Sequence, residues 1–192
     1  MQNNKPADVL VQLIEDAQKG DVTAFGKIVR DHQSYAYAIA FRFFCDEDDA
    51  EDVVQESFIR IWNHLQDFDS SMKFTTWMYK IVVNLCYDKA KSNKRRMSVF
   101  ARLNDNSSQD DYIESTNIEQ DLTNKETAAL IKRLADGLSE KQRMIFLLRD
   151  IQDLTIEEVA GITGMSDSAI KTNLFFARQN IRKKLARLEV SI

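Results

Sequence analysis

The chain has 192 residues, of which 44% are hydrophobic, and its 26 basic and 30 acidic side chains leave a net charge of −4. This length suits one large domain or two small ones with packed cores. Five glycines and one proline predict long helices and few tight turns. The two cysteines, Cys45 and Cys86, lie in apolar segments without metal-ligand spacing, so we interpret them as buried, reduced thiols and expect no metal site.

The sequence contains no pattern that predicts export or membrane insertion. The segment Met1–Pro6 leads into an amphipathic pattern rather than an apolar run, so the sequence predicts no signal peptide. No window approaches the ~18 consecutive apolar residues of a membrane span. We therefore expect a cytoplasmic protein with no membrane insertion.

Helical periodicity dominates the first half of the chain. The pattern predicts a first helix that ends at Gly20-Asp21 and a second helix from about Val22 to the acidic break at Asp46. A third helix is predicted over about 48–66, with one apolar stripe and acidic side chains on the opposite side. A fourth is predicted over about 73–95.

The pattern dissolves between residues 98 and 122, where polar and acidic side chains dominate, and this segment is interpreted as a flexible linker. Helical periodicity resumes near Thr123 and continues to the end. The sequence therefore predicts an all-α fold with two small helical domains, 7–97 and 123–190, joined by the linker 98–122.

Charge is strongly segregated along the chain, which makes the net value of −4 a poor guide to its partners. Residues 46–56 contain seven acids and no base, and residues 104–121 contain six acids and no base. Residues 89–102 and 171–187 each contain six bases and no acid. The third helix is thus suited to a basic protein surface. The aromatic and basic fourth helix is suited to nucleic acid, so the chain resembles an adaptor between a protein machine and DNA.

The C-terminal half contains a helix-turn-helix pattern. The run Thr155-Ile156-Glu157-Glu158 is a capping box that begins a short helix, and Gly161–Ser166 supplies a glycine-containing turn. A second helix is predicted from about Asp167, with basic side chains on the face opposite its apolar stripe. In this geometry Lys171, Thr172 and Phe175 would enter the major groove.

On these motifs the sequence resembles the bacterial extracytoplasmic-function sigma factors of the sigma-70 family over nearly its whole length. The run Asp49–Phe58 is similar to the region-two helix of that family, and Phe68–Asn84 is similar to the segment that opens and reads the −10 promoter element. Leu147–Arg178 resembles region four, which reads the −35 element. Only a linker separates the two regions, as is typical of this group.

The resemblance implies three sets of functional residues, a non-catalytic role and no cofactor. Docking on the β′ clamp helices of core RNA polymerase is expected of Asp49, Asp52, Gln55 and Glu56. Contact with −10 DNA is expected of Lys73, Phe74, Trp77, Tyr79, Lys80, Asn84, Lys91, Arg95 and Arg96. Contact with −35 DNA is expected of Ser168, Lys171, Thr172, Phe175, Arg178 and Arg182. Further implied partners are the polymerase β flap and an anti-sigma factor, and the free chain is expected to be a monomer.

Some positions depart from the family pattern or admit a purely structural role. Asn173 stands where arginine is common and Phe176 stands where a polar residue is usual, which predicts fewer phosphate contacts or a different −35 sequence. Trp77 shares a stripe with apolar residues, so a core role is an open alternative. Two other functions also stay open. A dimeric operator-binding regulator would leave the acidic helix without a role, and a helical protein that sequesters another factor would leave both basic segments unexplained.

Overall fold

The computed structural model describes residues 6–103, 134 and 137–189, and within these ranges every regular element is helical. The first half contains four α-helices. They are α1 (Pro6–Gln18), α2 (Val22–Phe44), α3 (Glu47–His64) and α4 (Phe74–Leu103), with a short 3-10 turn, Leu65–Asp67, after α3. The second half contains α5 (Glu140–Phe146), a π-helical turn (Leu147–Ile151), α6 (Ile156–Thr163) and α7 (Asp167–Glu189). The all-α prediction is confirmed.

Polar side chains determine where several of these helices begin. Asp21 accepts hydrogen bonds from the first amides of α2, and Asp46 accepts one from Asp49 N at 2.8 Å at the start of α3. The predicted capping box of α6 is confirmed: Glu158 N donates to Thr155 Oγ1, and Thr155 N donates to Glu158 Oε2. The starts of α2, α6 and α7 therefore agree with the sequence patterns, whereas α6 continues to Thr163, through the first three residues of the predicted turn Gly161–Ser166.

The fourth helix is longer than the pattern predicts. It continues from Phe74 to Leu103 rather than ending near residue 95. No glycine or proline interrupts residues 94–103, and the basic residues there are good helix formers, so helix continues past the last core position. The first six residues of the predicted linker 98–122 are thus helical, and the remainder of the linker lies outside the described residues.

Apolar stripes from all four N-terminal helices meet in one core. The fully buried side chains there include Ile28, Ile39, Ile61, Met78 and Val82. The C-terminal helices bury Met144, Ile145, Leu148, Val159, Ile162 and Ile170 in the same way. The buried side chains of both halves belong to one hydrophobic cluster, and the exclusion of water from it is the main source of stability.

The two halves are in contact rather than separated. The helix α6 lies against the N-terminal part of α4, and a Cβ placed on Gly161 would be 3.7 Å from Thr76 Cγ2. A second contact joins α5 to α2. Arg143 Nη1 of α5 donates to Phe43 O at 2.7 Å, at the C-terminal end of α2. Its guanidinium also lies 5.9 Å from the Phe43 ring centroid. A cation at this point satisfies a carbonyl that a helix end leaves unpaired.

Candidate polymerase and nucleic-acid interfaces

The predicted docking residues lie together on α3, and we call Asp49, Asp52, Gln55 and Glu56 the acidic face. Ala50 and Val53, between them in sequence, are buried and fix the helix on the core. Asp52 and Gln55 are exposed, whereas Asp49 and Glu56 are partly covered. Helical spacing thus separates the carboxylates from the apolar side, as the sequence predicts.

Two carboxylates of the acidic face are held by a lysine of the neighbouring helix. Lys89 Nζ of α4 lies 3.2 Å from Asp49 Oδ1 and 2.6 Å from Asp52 Oδ2. The hydrogen bond to Asp52 raises the pKa of Lys89 above its usual value of 10.5. Asn93 Nδ2 also donates to Asp49 Oδ2 at 2.7 Å. The face is therefore a partly neutralised, ordered set of oxygen atoms rather than a row of freely moving acids.

The polar residues predicted for −10 DNA lie on the outer side of α4. Lys80, Asn84, Lys91, Arg95 and Arg96 are all exposed, as is Lys73 just before the helix. We call Lys73, Lys80, Asn84, Lys91 and Arg95 the polar row, because their spacing of seven, four, seven and four residues places them on one side of the helix. Arg96 points to a different side of the helix. Continuous polar rows of this kind can follow a phosphate backbone.

Two of the aromatic residues predicted to contact −10 DNA, Phe74 and Tyr79, are buried in this structure. Phe74 is only 4% exposed and Tyr79 only 7% exposed, so neither ring offers a face to nucleic acid. Phe74 packs edge-on against Phe68 with ring centroids 5.6 Å apart, and burial raises the pKa of the Tyr79 hydroxyl. Both side chains occur on the sides of α4 that face the N-terminal core, and hydrophobic burial places them there.

Trp77 is less buried than Phe74 and Tyr79. Its ring touches the same aromatic cluster, with centroids 5.2 Å from Phe68 and 5.8 Å from Phe74, yet the residue is only partly buried. Its position on α4 borders the polar row. Trp77 thus packs against the aromatic cluster and keeps part of its surface exposed beside the polar row.

Five of the predicted −35 residues are exposed on one side of α7, and we call them the reading face. They are Ser168, Lys171, Thr172, Phe175 and Arg182. Ile170, Leu174 and Ala177 are buried on the opposite side and anchor the helix. Gly164, with φ of +69°, ends α6 in a left-handed conformation and sets the angle at which α7 leaves the turn. This arrangement is a helix-turn-helix with its second helix available to a groove.

Arg178 forms an ion pair within the chain. Its Nε and Nη2 atoms donate to the two oxygens of Asp150 at 2.8 and 2.6 Å. Asp150 belongs to the π-helical turn, so this two-pronged contact ties α7 to the segment before α6. In this structure the guanidinium of Arg178, a predicted −35 contact, is therefore paired within the chain and helps to hold the helix-turn-helix together.

Asn173 and Phe176, the two positions that depart from the family pattern, both contact other residues of α7. Asn173 Nδ2 donates to Ala169 O at 2.8 Å, one turn earlier in α7, so the amide is used within the helix. Phe176 is 49% exposed and forms an edge-on pair with Phe175, their centroids 5.5 Å apart. Phe176 also lines a surface cavity of about 360 Å³ together with Gln142, Gln179 and Lys183.

Sequence reasoning missed Lys89, Asp150 and Glu158 as partners of the site residues. Each pairs with a residue that is far away in sequence, and charge patterns report only local neighbours. Among the described residues, no group of histidine, cysteine and acidic side chains is arranged to hold a metal ion. In the same part of the chain, no helix is both long and apolar enough to cross a lipid bilayer.

Two family models match successive parts of the chain. The family model for sigma-70 region 2 matches residues 28–96, which cover α3, most of α2 and most of α4. The model for sigma-70 region 4 matches residues 128–181 and includes the helix-turn-helix. We refer below to the two halves as region two and region four.

Curated relatives match over nearly the whole chain. The sigma factor SigW of Bacillus subtilis is 28% identical over 179 residues, covering 91% of this chain and 96% of its own. The sigma-E factor of Salmonella typhimurium is 31% identical over 188 residues, covering 92% and 94%.

Two solved structures share the fold. The structure of CnrH in complex with the cytosolic domain of CnrY has a TM-score of 0.68 at 24% identity and covers 94% of this chain and 99% of CnrH. RpoE of Bartonella quintana, in complex with the anti-sigma factor NepR, has a TM-score of 0.64 at 23% identity and covers 86% and 98%. With both regions in order and a relative above 30% identity over almost its full length, this chain belongs to the extracytoplasmic-function RNA polymerase sigma factors.

Proposed function

We propose that this sigma factor docks on core RNA polymerase through the acidic face of α3 and contacts promoter DNA through the polar row of α4 and the reading face of α7. The observation that carries the proposal is the reading face, where five side chains stand exposed on the second helix of a helix-turn-helix. An operator-binding regulator would use such a helix too, but it has no use for the acidic face.

The acidic face suits a basic partner surface because its oxygen atoms are preorganised. Lys89 holds Asp49 and Asp52 at 3.2 and 2.6 Å, so little side-chain freedom is lost when a partner arrives. Exposed carboxylates such as Asp52 also accelerate and orient the encounter with a positively charged partner. The proposed partner is the pair of clamp helices of the β′ subunit, and the β flap is the proposed partner of region four.

Opening of a promoter requires bases to leave the stack, at a cost of a few kcal/mol each. In the proposed arrangement the cations of the polar row bind the freed backbone, and Asn84 reads a base edge through its amide. Trp77, which is only partly buried, supplies the stacking contact. Phe74 and Tyr79 support this surface from the core, since both are buried.

The proposal also includes the role of the chain, its location in the cell and an inhibitory partner. The chain lends promoter specificity to polymerase, has no catalysis or cofactor of its own, and acts as a monomer in the cytoplasm. The related RpoE structure is a complex with the anti-sigma factor NepR. By analogy we propose that an anti-sigma factor also holds this chain inactive and covers its polymerase-binding surface.

The test is run-off transcription of fragmented genomic DNA from the source bacterium by sigma-free core polymerase, with and without this chain, followed by sequencing of the 5′ ends. We expect new start sites that share two upstream elements. A chain with Asp52→Lys and Glu56→Lys serves as the matched negative control for docking. Binding to core without new starts would contradict the proposed DNA contacts, and the absence of core binding would overturn the proposal as a whole.

A further inference from the structure

The helix α7 exposes two adjacent phenylalanine rings, and we call Phe175 and Phe176 the aromatic pair. Phe175 is 61% exposed and Phe176 is 49% exposed, whereas every other phenylalanine in the described ranges is buried or partly buried. The two rings meet edge-on, with centroids 5.5 Å apart and planes at 72°. Single exposed apolar side chains are ordinary, but two rings in contact form an apolar patch, and covering such a patch with a partner is favourable.

The aromatic pair has no part in the packing of the fold. The apolar side of α7 consists of Ile170, Leu174 and Ala177, which are buried. A rotation of about 100° per residue places both rings well away from that side. Neither ring belongs to the hydrophobic core or to the partly buried side chains packed against it. The pair is therefore available to a partner, and its truncation should leave the helix folded.

Cations and a hydroxyl surround the aromatic pair. Lys171 and Thr172 precede the two rings by one helical turn, and Arg182 and Lys183 follow them by seven residues each, which is nearly two turns. All four side chains are exposed. Charge complementarity therefore selects a polyanion that also presents apolar groups. Duplex DNA meets both conditions, through its phosphates and its thymine methyl groups.

From these features we infer that the aromatic pair reads C5 methyl groups of thymines in the −35 element, with Phe176 as a specificity-determining residue in addition to the reading face. Among the groups that base pairs present in the major groove, only the thymine methyl is apolar. Over any other base edge a phenyl ring would displace water from a polar group and return no hydrogen bond. The inference deepens the proposed function and rests on it, because it assumes that α7 enters the major groove of this element.

The inference also decides between two outcomes that the sequence allows at position 176. Phe176 stands where a polar residue is usual in the family, which predicts fewer phosphate contacts or a different −35 sequence. A ring that already packs against its neighbour loses little freedom on binding, and removal of a methyl group from water adds affinity. We therefore expect a changed sequence preference, with an A·T pair at the position that Phe176 meets.

Removal of single methyl groups from the DNA tests the inference without any change to the protein. The promoter is taken from the start sites that run-off transcription identifies, and each thymine of its −35 element is replaced by deoxyuridine, which lacks only the methyl group. Mobility shifts would measure promoter affinity of core polymerase assembled with the full-length chain. We expect at least one replacement to weaken binding about fourfold, the effect of one methyl group left uncovered, while replacements between the two elements have none. An element without A·T pairs, or equal binding of all substituted promoters, would overturn the inference.

Truncation of one ring shows which side chain meets the methyl group. With Phe176→Ala we expect one sensitive position to lose its response, so that thymine and deoxyuridine bind equally there. Leu185→Ala is the matched control, because Leu185 is also exposed on α7 but lies nine residues later, half a turn round the helix. It should keep every response, and circular dichroism would verify that both variants are folded. If all sensitive positions kept their response in Phe176→Ala, the inference would be wrong.

A methyl group on cytosine separates apolar contact from hydrogen bonding. At the position assigned to Phe176, the T·A pair is replaced by a C·G pair that carries either cytosine or 5-methylcytosine. We expect the wild-type chain to bind the methylated promoter about threefold more tightly and Phe176→Ala to bind the two equally. Equal binding by the wild type would mean that thymine is recognised through its O4 atom, which contradicts the inference.

The same experiments distinguish failure of this inference from failure of the proposed function. No initiation by the wild-type chain with core polymerase would overturn both. Initiation without any response to methyl removal would leave the proposed function standing and exclude methyl readout. Phe176→Ala should also bind core polymerase as the wild type does. A loss of core binding as large as the loss of promoter binding would assign the ring to a polymerase contact instead.

Discussion

The charged faces of α3 and α7 differ in how their side chains are held. On α3, Asp49 and Asp52 are paired with Lys89, and Glu56 is paired with Arg60 at 2.9 Å. On α7, by contrast, neither Lys171 nor Arg182 has an ion-pair partner among the described residues. A surface that docks on one fixed protein partner gains from preorganised charge, whereas a helix that tracks a phosphate backbone gains from cations that can adjust.

In region four, one charged side chain is held by an ion pair, as the acidic side chains of α3 are. Arg178, although it lies on the border of the reading face, is fixed on both oxygens of Asp150. Arg178 and its exposed neighbours thus differ in their surroundings although they carry the same charge. Arg178 is ion-paired with a carboxylate elsewhere in the fold, whereas Lys171 and Arg182 have no such partner among the described residues.

The largest effect is expected from reversing the acidic face. Asp52→Lys/Glu56→Lys should weaken core polymerase binding at least about 100-fold, or roughly 2.8 kcal/mol, because attraction becomes repulsion across the docking surface. Affinity would be measured by fluorescence with labelled core, and circular dichroism would verify that the helices persist. Glu15→Lys/Asp31→Lys makes the same charge change on exposed positions of α1 and α2 and should bind nearly as the wild type does. Equal loss in both variants would mean that only net charge matters.

A smaller effect is expected at the reading face. Lys171→Ala/Arg182→Ala should weaken duplex promoter binding about tenfold and lower the slope of log K against log salt by roughly one per cation removed. Mobility-shift titrations at several salt concentrations would measure both quantities. Lys141→Ala, on the exposed side of α5, is the matched control. A salt slope that did not change would show that these two cations do not meet phosphates.

Arg178 should behave differently from Lys171. A double-mutant cycle with Arg178→Ala and Asp150→Ala should give a coupling of about 0.5–1 kcal/mol in the free energy of unfolding, measured with urea. Lys171→Ala should leave that free energy nearly unchanged, because its side chain is exposed. If Arg178→Ala kept full stability and lost −35 affinity as Lys171→Ala does, the structural assignment of Arg178 would be wrong.

The smallest effect is expected from Lys89→Ala, which removes the cation that orders Asp49 and Asp52. We expect unfolding to become easier by less than about 1 kcal/mol at pH 7, since the pairs are only partly buried. The raised pKa of Lys89 means that its stabilisation is complete below pH 10.5 and is lost as the pH rises through the higher folded-state value. Urea unfolding at pH 7 and in strong alkali would thus show the difference between variant and wild type shrinking.

Much of the fold could be predicted because its determinants are local. The periodic apolar positions gave the helices, and Thr155 with Glu158 marked the start of α6, since capping boxes involve residues only three apart. The resemblance to the family implied the residues of the acidic face and the reading face, and periodicity predicted only that they lie away from the apolar stripes. The basic extension of α4 to Leu103 was harder, because a polar helical stretch and a linker share much of their composition.

The rest depends on contacts that the linear pattern does not contain. Phe74 and Tyr79 are buried because the α4 core covers a wide arc of the helix, and aromatic residues suit both core and nucleic-acid surfaces. The pairs Arg178–Asp150, Lys89–Asp52 and Lys73–Glu158 join residues 28, 37 and 85 positions apart. Only the three-dimensional arrangement of the helices reveals which charged side chains are ion-paired within the chain.

The π-helical turn Leu147–Ile151 has a consequence for how this segment tolerates insertions and deletions. A π turn holds one residue more than an α turn, and each residue rotates a helix by about 100°. Loss of a single residue here would restore the ordinary register and swing Asp150 away from Arg178, while leaving every other residue type in place. The contact between Asp150 and Arg178 therefore depends on the number of residues in this turn as well as on their identity.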